Sequence, residues 1–160
     1  MNPYEKIEDK IHSQGLDLIH TDQLPERLKA ITYCDDSLNL IAVSNNIPSI
    51  HEKTCILAEE LGHYQTSYGN LISDSNYTSI LKQEEMARRW ADDHLLSPKA
   101  IADAIKEGCM SEDELVELFC ITHEYLHEAI DRYICRYGIY FEIDETTMLC
   151  FCPLGLLTIF

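Results

Sequence analysis

A chain of 160 residues has the size of one domain, and its 46% hydrophobic content can fill a sizeable core. Twelve Lys plus Arg stand against 28 Asp plus Glu, a formal net charge of -16. That balance repels phosphate backbones, argues against direct nucleic-acid binding, and favours a basic partner or a basic stretch of a substrate protein.

The start, from Met1 to Lys6, lacks the pattern of a secretion signal, and no apolar run is long enough to span a bilayer. The expected location is therefore cytoplasmic, with the seven scattered cysteines as reduced thiols. Pro3 to Gln14 reads as a helix with Tyr4, Ile7 and Ile11 on one face and Gly15 as its stop. Leu16 to His20 is a short strand. Ala30–Cys34 and Leu38–Val43 flank Asp35-Asp36-Ser37, the pattern of a hairpin. Ser49 with Glu52 three residues on fits a capping box, opening a helix that carries Leu57-Ala58-Glu59-Glu60-Leu61-Gly62-His63-Tyr64. Tyr68 to Ser79 reads as a loop near that helix. Ile80 to Ser97 is a second long helix with an apolar stripe of Ile80, Ala87, Ala91 and Leu95. Pro98 to Lys106 is a third, with Ser97 as its cap. Ser111 and Thr122 cap two further helices, to Phe119 and to Tyr137, joined by a tight turn in helix-turn-helix outline. Ile139–Ile143 and Thr147–Cys152 read as a final hairpin, followed by an apolar tail that invites dimerisation.

Three metal-competent groups lie within five residues. On a helix, Glu59 and His63 at i and i+4 share one face, the spacing at which two side chains grip one ion. Glu60 stands three before His63, where a general base could reach a water on that ion. The pattern is one substitution from H-E-x-x-H, with Glu59 in the place of the first His. Gly62 costs about 1 kcal/mol against Ala in a helix interior, so its presence signals close backbone approach, for instance by a strand or a substrate. On the second helix, Glu84 falls on the apolar stripe, whereas Glu85 lines up with Arg88 and Asp92 on a charged face. A carboxylate on an apolar stripe is costly unless paired or metal-bound, which makes Glu84 the third ligand candidate. The competing account is a solvated acidic face at Glu59 and Glu60, a helix-end histidine at His63, and a Glu84–Arg88 pair.

A literal H-E-x-x-H also occurs, at His123-Glu124-Tyr125-Leu126-His127. It begins at a helix N-terminus, where the helix dipole opposes a cation. Glu128 follows directly, and its downstream acids Glu142, Asp144 and Glu145 fall in a hairpin. Packing with Leu126, Ile130 and Ile134 accounts for both of its histidines, while metal binding there stays open.

The Leu57–Tyr64 segment, followed by Glu84-Glu85-Met86-Ala87-Arg88-Arg89-Trp90-Ala91 and then Leu95, Leu96 and Pro98, resembles the ImmA/IrrE family of metallo-endopeptidases, phage- and mobile-element-borne proteins with zincin-like domains. The resemblance covers roughly residues 30–138. It implies a single α+β, zincin-like domain over 1–160: a catalytic part of about 1–97 with a small N-terminal sheet, a helical part of about 98–138, and a C-terminal hairpin or tail over 139–160. Carried over by position, Glu59, His63 and Glu84 would be metal ligands and Glu60 the general base. The implied cofactor is Zn²⁺, and the implied substrate a helix-turn-helix repressor. Glu59 in place of His is a departure: two carboxylates neutralise a divalent ion, weakening its pull on water and letting Mn²⁺ or Fe²⁺ compete. The alternative expectation is therefore a catalytically impaired module that sequesters a basic partner.

Overall fold

Asn2 opens the first helix. Its Oδ1 accepts from the Glu5 N–H, and Glu5 Oε2 accepts from the Asn2 N–H, each at 2.8 Å. This reciprocal cap and Pro3 at the first helical position set α1, Pro3–Ser13. Gly15 follows at φ +76°, a conformation cheap only for glycine. The computed structural model describes residues 1–67 and 77–160, and over these the protein is of the α+β class with six helices and six strands.

The chain divides into two compact units, Met1–Ala91 and Asp92–Phe160. In the first, β1 (Asp17–Thr21), β2 (Ala30–Cys34) and β3 (Asn39–Ser44) form a sheet of order β1-β3-β2. β2 and β3 are the expected antiparallel hairpin, and β1 runs parallel to β3. The expected strand at Leu16–His20 is shifted by one: Leu16 instead buries its side chain completely at the turn out of α1. Helices α1 and α2 (Ile50–Ser67) pack on each other and on the sheet, closing a core of Ile7, Ile11, Ile41, Val43, Leu57 and Leu61. Ser49 Oγ accepts from the Glu52 N–H at 3.1 Å, the bond expected of the cap. Of the loop expected over 68–79, residues 68–76 lie outside the described residues. Tyr77–Ser79 is instead the first turn of α3, Tyr77–Leu95.

The second unit contains α4 (Pro98–Lys106), α5 (Glu112–Phe119), α6 (His123–Tyr137) and a three-stranded antiparallel sheet. The caps expected at Ser97, Ser111 and Thr122 are all made, by hydroxyls accepting at 3.2, 3.2 and 3.1 Å. Cys120, with φ 52°, turns the chain sharply between α5 and α6. The sheet corrects the expectation of a hairpin and a tail. After β4 (Tyr140–Asp144) and β5 (Thr147–Phe151), the chain folds back at Cys152 and Pro153 into β6, Leu154–Thr158, paired along β5. Pro153 occupies the turn, and Gly155 lies within β6, paired with Cys150.

Asp92 is another correction. It lies on no charged face: its side chain is 1% exposed and takes a bidentate clamp from Arg132, at 2.7 and 2.8 Å. Desolvation works against the Arg132 charge, but hydrogen bonding and attraction to Asp92 outweigh it and raise the guanidinium pKa. Arg136 binds Asp93 at 3.1 Å, and the buried Tyr133 hydroxyl donates to the same oxygen at 3.3 Å. Lys99 with Asp103, at 2.6 Å, and Lys106 with Asp144, at 3.4 Å, are surface pairs of small worth. All seven cysteines are free thiols, as expected. No helix among the described residues is long and apolar enough to cross a membrane.

Two outcomes follow from these contacts. Arg132→Met leaves a buried carboxylate without its cation and costs about 3–5 kcal/mol, measured by urea unfolding; Lys99→Met, at an exposed pair, shifts the same midpoint far less. At the β2–β3 turn, Asp35 accepts from the Tyr33 hydroxyl at 2.8 Å and from the Ser37 and Leu38 N–H groups at 2.7 Å. The Tyr33 bond first, then the Ser37 N–H, lowers its carboxyl pKa to about 2. A depressed carboxyl pKa stabilises the fold above the ordinary value near 3.8, and that contribution is lost as pH falls to about 2. Carboxyl NMR titration of Asp35 is expected to show its midpoint there, and the Tyr33→Phe variant to move it upward.

Candidate metal centre

Helices α2 and α3 meet at Gly62. A methyl group built on Gly62 would overlap the Ala87 carbonyl oxygen and stand 3.0 Å from its carbon. The close approach expected from this glycine thus comes from the backbone of the next helix, not from a strand. The contact lies one residue before His63 and three after Glu84, so it presses together the two stretches that carry them. His63 Nε2 and Glu84 Oε2 are 3.6 Å apart, with the side chains 27% and 42% exposed. That is longer than a good hydrogen bond. Two ligands at about 2.0–2.2 Å from a tetrahedral ion stand roughly 3.3–3.6 Å apart, so this pair fits two corners of such a site.

The reason Glu84 sits there differs from the expectation. The buried stripe of α3 begins at Ala87 and continues through Ala91 and Leu95. Ile80, expected on the stripe, is 49% exposed, and Glu84 lies at the stripe's half-open end. Its burial penalty is therefore small, and its partner is His63 rather than Arg88. Glu85 is exposed and pairs with Arg89 at 3.2 Å.

Glu60 is held from the sheet side. The Thr32 hydroxyl on β2 lies 2.6 Å from Glu60 Oε2 and 3.1 Å from the Glu60 carbonyl oxygen. Thr32 drew no notice in the sequence; its only signal is a hydroxyl at a covered strand position between exposed Ile31 and Tyr33. Glu59 is half-buried on α2, one turn before His63. Among the described residues, no three His, Cys, Asp or Glu side chains are arranged to hold a metal ion. The structure thus brings His63 and Glu84 together. The chemistry of the set still suits a divalent ion, with one imidazole and one carboxylate in place and a second carboxylate a helical turn away.

The second H-E-x-x-H is otherwise engaged. His123 Nε2 lies 2.8 Å from Asp113 Oδ1, and His127 Nε2 lies 2.8 Å from Glu112 Oε2, all on exposed side chains. The expected packing with Leu126 is not what holds them: Leu126 is buried, whereas both imidazoles face the acidic first turn of α5.

No family model matches the chain, and no curated protein matches it. Among solved structures it is similar to a Mycobacterium tuberculosis transcriptional regulator, with a TM-score of 0.58 and 14% identity over 82% of this chain. The match spans 40% of that protein's length. At this identity the likeness is one of fold.

Helix propensity alone gives Gly62→Ala a gain of about 1 kcal/mol. Forcing a methyl against a fixed carbonyl costs typically about 1–3 kcal/mol. Because the obstacle is backbone, the strain is expected to win and thermal unfolding to move to lower temperature. An alanine variant as stable as the parent chain would show that the two helices do not touch there.

Proposed function

We propose that the first unit is a zincin-like metallo-endopeptidase of the ImmA/IrrE type, acting on a partner protein of basic character such as a helix-turn-helix repressor. The observation that carries this reading is the 3.6 Å approach of His63 to Glu84 across two helices. It is supported by the Glu60 carboxylate being held one turn's edge away on the same helix. His63 and Glu84 would hold the ion, with Glu59 completing the set. When bound, a divalent ion such as Zn²⁺, Mn²⁺ or Fe²⁺ supplies Lewis acidity toward water and the scissile carbonyl. Glu60 takes a proton from the attacking water and passes it to the leaving amine. For that work Glu60 must be fixed in direction, and the Thr32 bond serves that need.

A second reading, a non-catalytic module that sequesters a basic partner, is motivated by the net charge of -16 and by Glu59 standing where the motif has His. The two separate cleanly. Purified protein supplied with Zn²⁺ or Mn²⁺ is incubated with the repressor encoded beside it, and the products are read by mass spectrometry. Cleavage is expected, and Glu60→Gln should lower its rate by about 10²–10⁴-fold while metal binding survives. Equal cleavage by Glu60→Gln overturns the mechanism, and tight binding of an intact partner in the presence of chelator establishes the module instead.

A further inference from the structure

We propose that Thr32 is a positioning residue for Glu60, anchoring Oε2 so that Oε1 is the oxygen that moves the proton. This deepens, and rests on, the peptidase reading of the α2 site. β2 is an edge strand of the first sheet, and its middle residue Thr32 pairs in register with Ile41, which is fully buried. Alternation along the strand turns Ile31 and Tyr33 outward and Thr32 toward α2. At a covered strand position beside Ile41, Val would serve packing and strand propensity as well as Thr does. The hydroxyl is what Val lacks, and it reaches two oxygens of one residue, Glu60 Oε2 at 2.6 Å and Glu60 O at 3.1 Å. A hydroxyl has one proton to give. The shorter, charge-assisted bond to the carboxylate is the stronger of the two.

The two partners differ in stiffness, and that gives the bond a direction of action. Thr is β-branched, with a restricted χ1, and sits in a paired strand. Glu60 has three rotatable side-chain bonds and is half-buried at the protein surface. The strand therefore fixes the carboxylate, rather than the carboxylate fixing the strand. Misplacement of a reacting group by about 1 Å can cost on the order of 10²-fold in rate, so a tether of this kind acts on turnover and not on substrate capture.

The test compares the full chain, loaded with Zn²⁺, with Thr32→Val and Thr32→Ser. The probes are a quenched-fluorescent peptide library and the side-chain carboxyl ¹³C resonance of Glu60. In Thr32→Val, kcat is expected to fall about tenfold, with KM, zinc affinity and thermal midpoint unchanged and the Glu60 resonance displaced. Thr32→Ser, which keeps the hydroxyl, should return kcat to within about twofold and restore the resonance. Unchanged kcat in Thr32→Val overturns the proposal. So does a fall in kcat that Ser does not rescue, or one matched by a lowered melting temperature, because both point to Thr32 merely docking the helix. If the parent chain cleaves nothing in the library, the peptidase reading fails on its own account. The resonance then decides the contact, and a Glu60 signal that stays in place in Thr32→Val overturns it.

Discussion

The arrangement of the first unit depends on a backbone-to-backbone contact, Gly62 against the Ala87 carbonyl. A side chain on either helix can bend by a rotamer, but a main chain cannot, so the crossing of α2 over α3 has almost no play at this point. His63 and Glu84 flank the crossing, and their 3.6 Å separation follows from it. The sheet performs the corresponding task from the other side of α2, through Thr32 and Glu60. Two elements that share no local sequence signal, α3 and β2, are thereby registered to one short length of α2.

Local chemistry made much of this legible. Hydroxyls at Ser97, Ser111 and Thr122 opened helices where capping predicts, because a cap depends only on residues three positions apart. The Asp35 turn is equally readable, since all its donors lie within three residues. The Glu84 candidate came from its place on a stripe, and it does stand beside His63, although the stripe begins only at Ala87.

What escaped was non-local. The periodicity of α3 puts Asp92 on a charged face, but its partner Arg132 stands forty residues on, beyond the reach of any local pattern. Pro153 and Gly155 weaken a strand locally, so β6 has no signal of its own, whereas its pairing with β5 more than offsets that. The parallel pairing of β1 with β3 and the Thr32–Glu60 bond likewise join distant residues. A lone Thr in an apolar strand carries no signal of the carboxylate it will meet.

The ion pairs of the Asp92–Phe160 unit have one outcome for its behaviour in solution. All four of its cations, Lys99, Lys106, Arg132 and Arg136, are engaged with acids of the same unit. The acids of this unit outnumber these cations, and the surplus projects a negative field. That field gathers a counter-ion atmosphere whose thickness shrinks from about 30 Å at 0.01 M ionic strength to about 10 Å at 0.1 M. At low ionic strength this half of the chain holds other copies of itself at a distance, and added electrolyte is what brings them near.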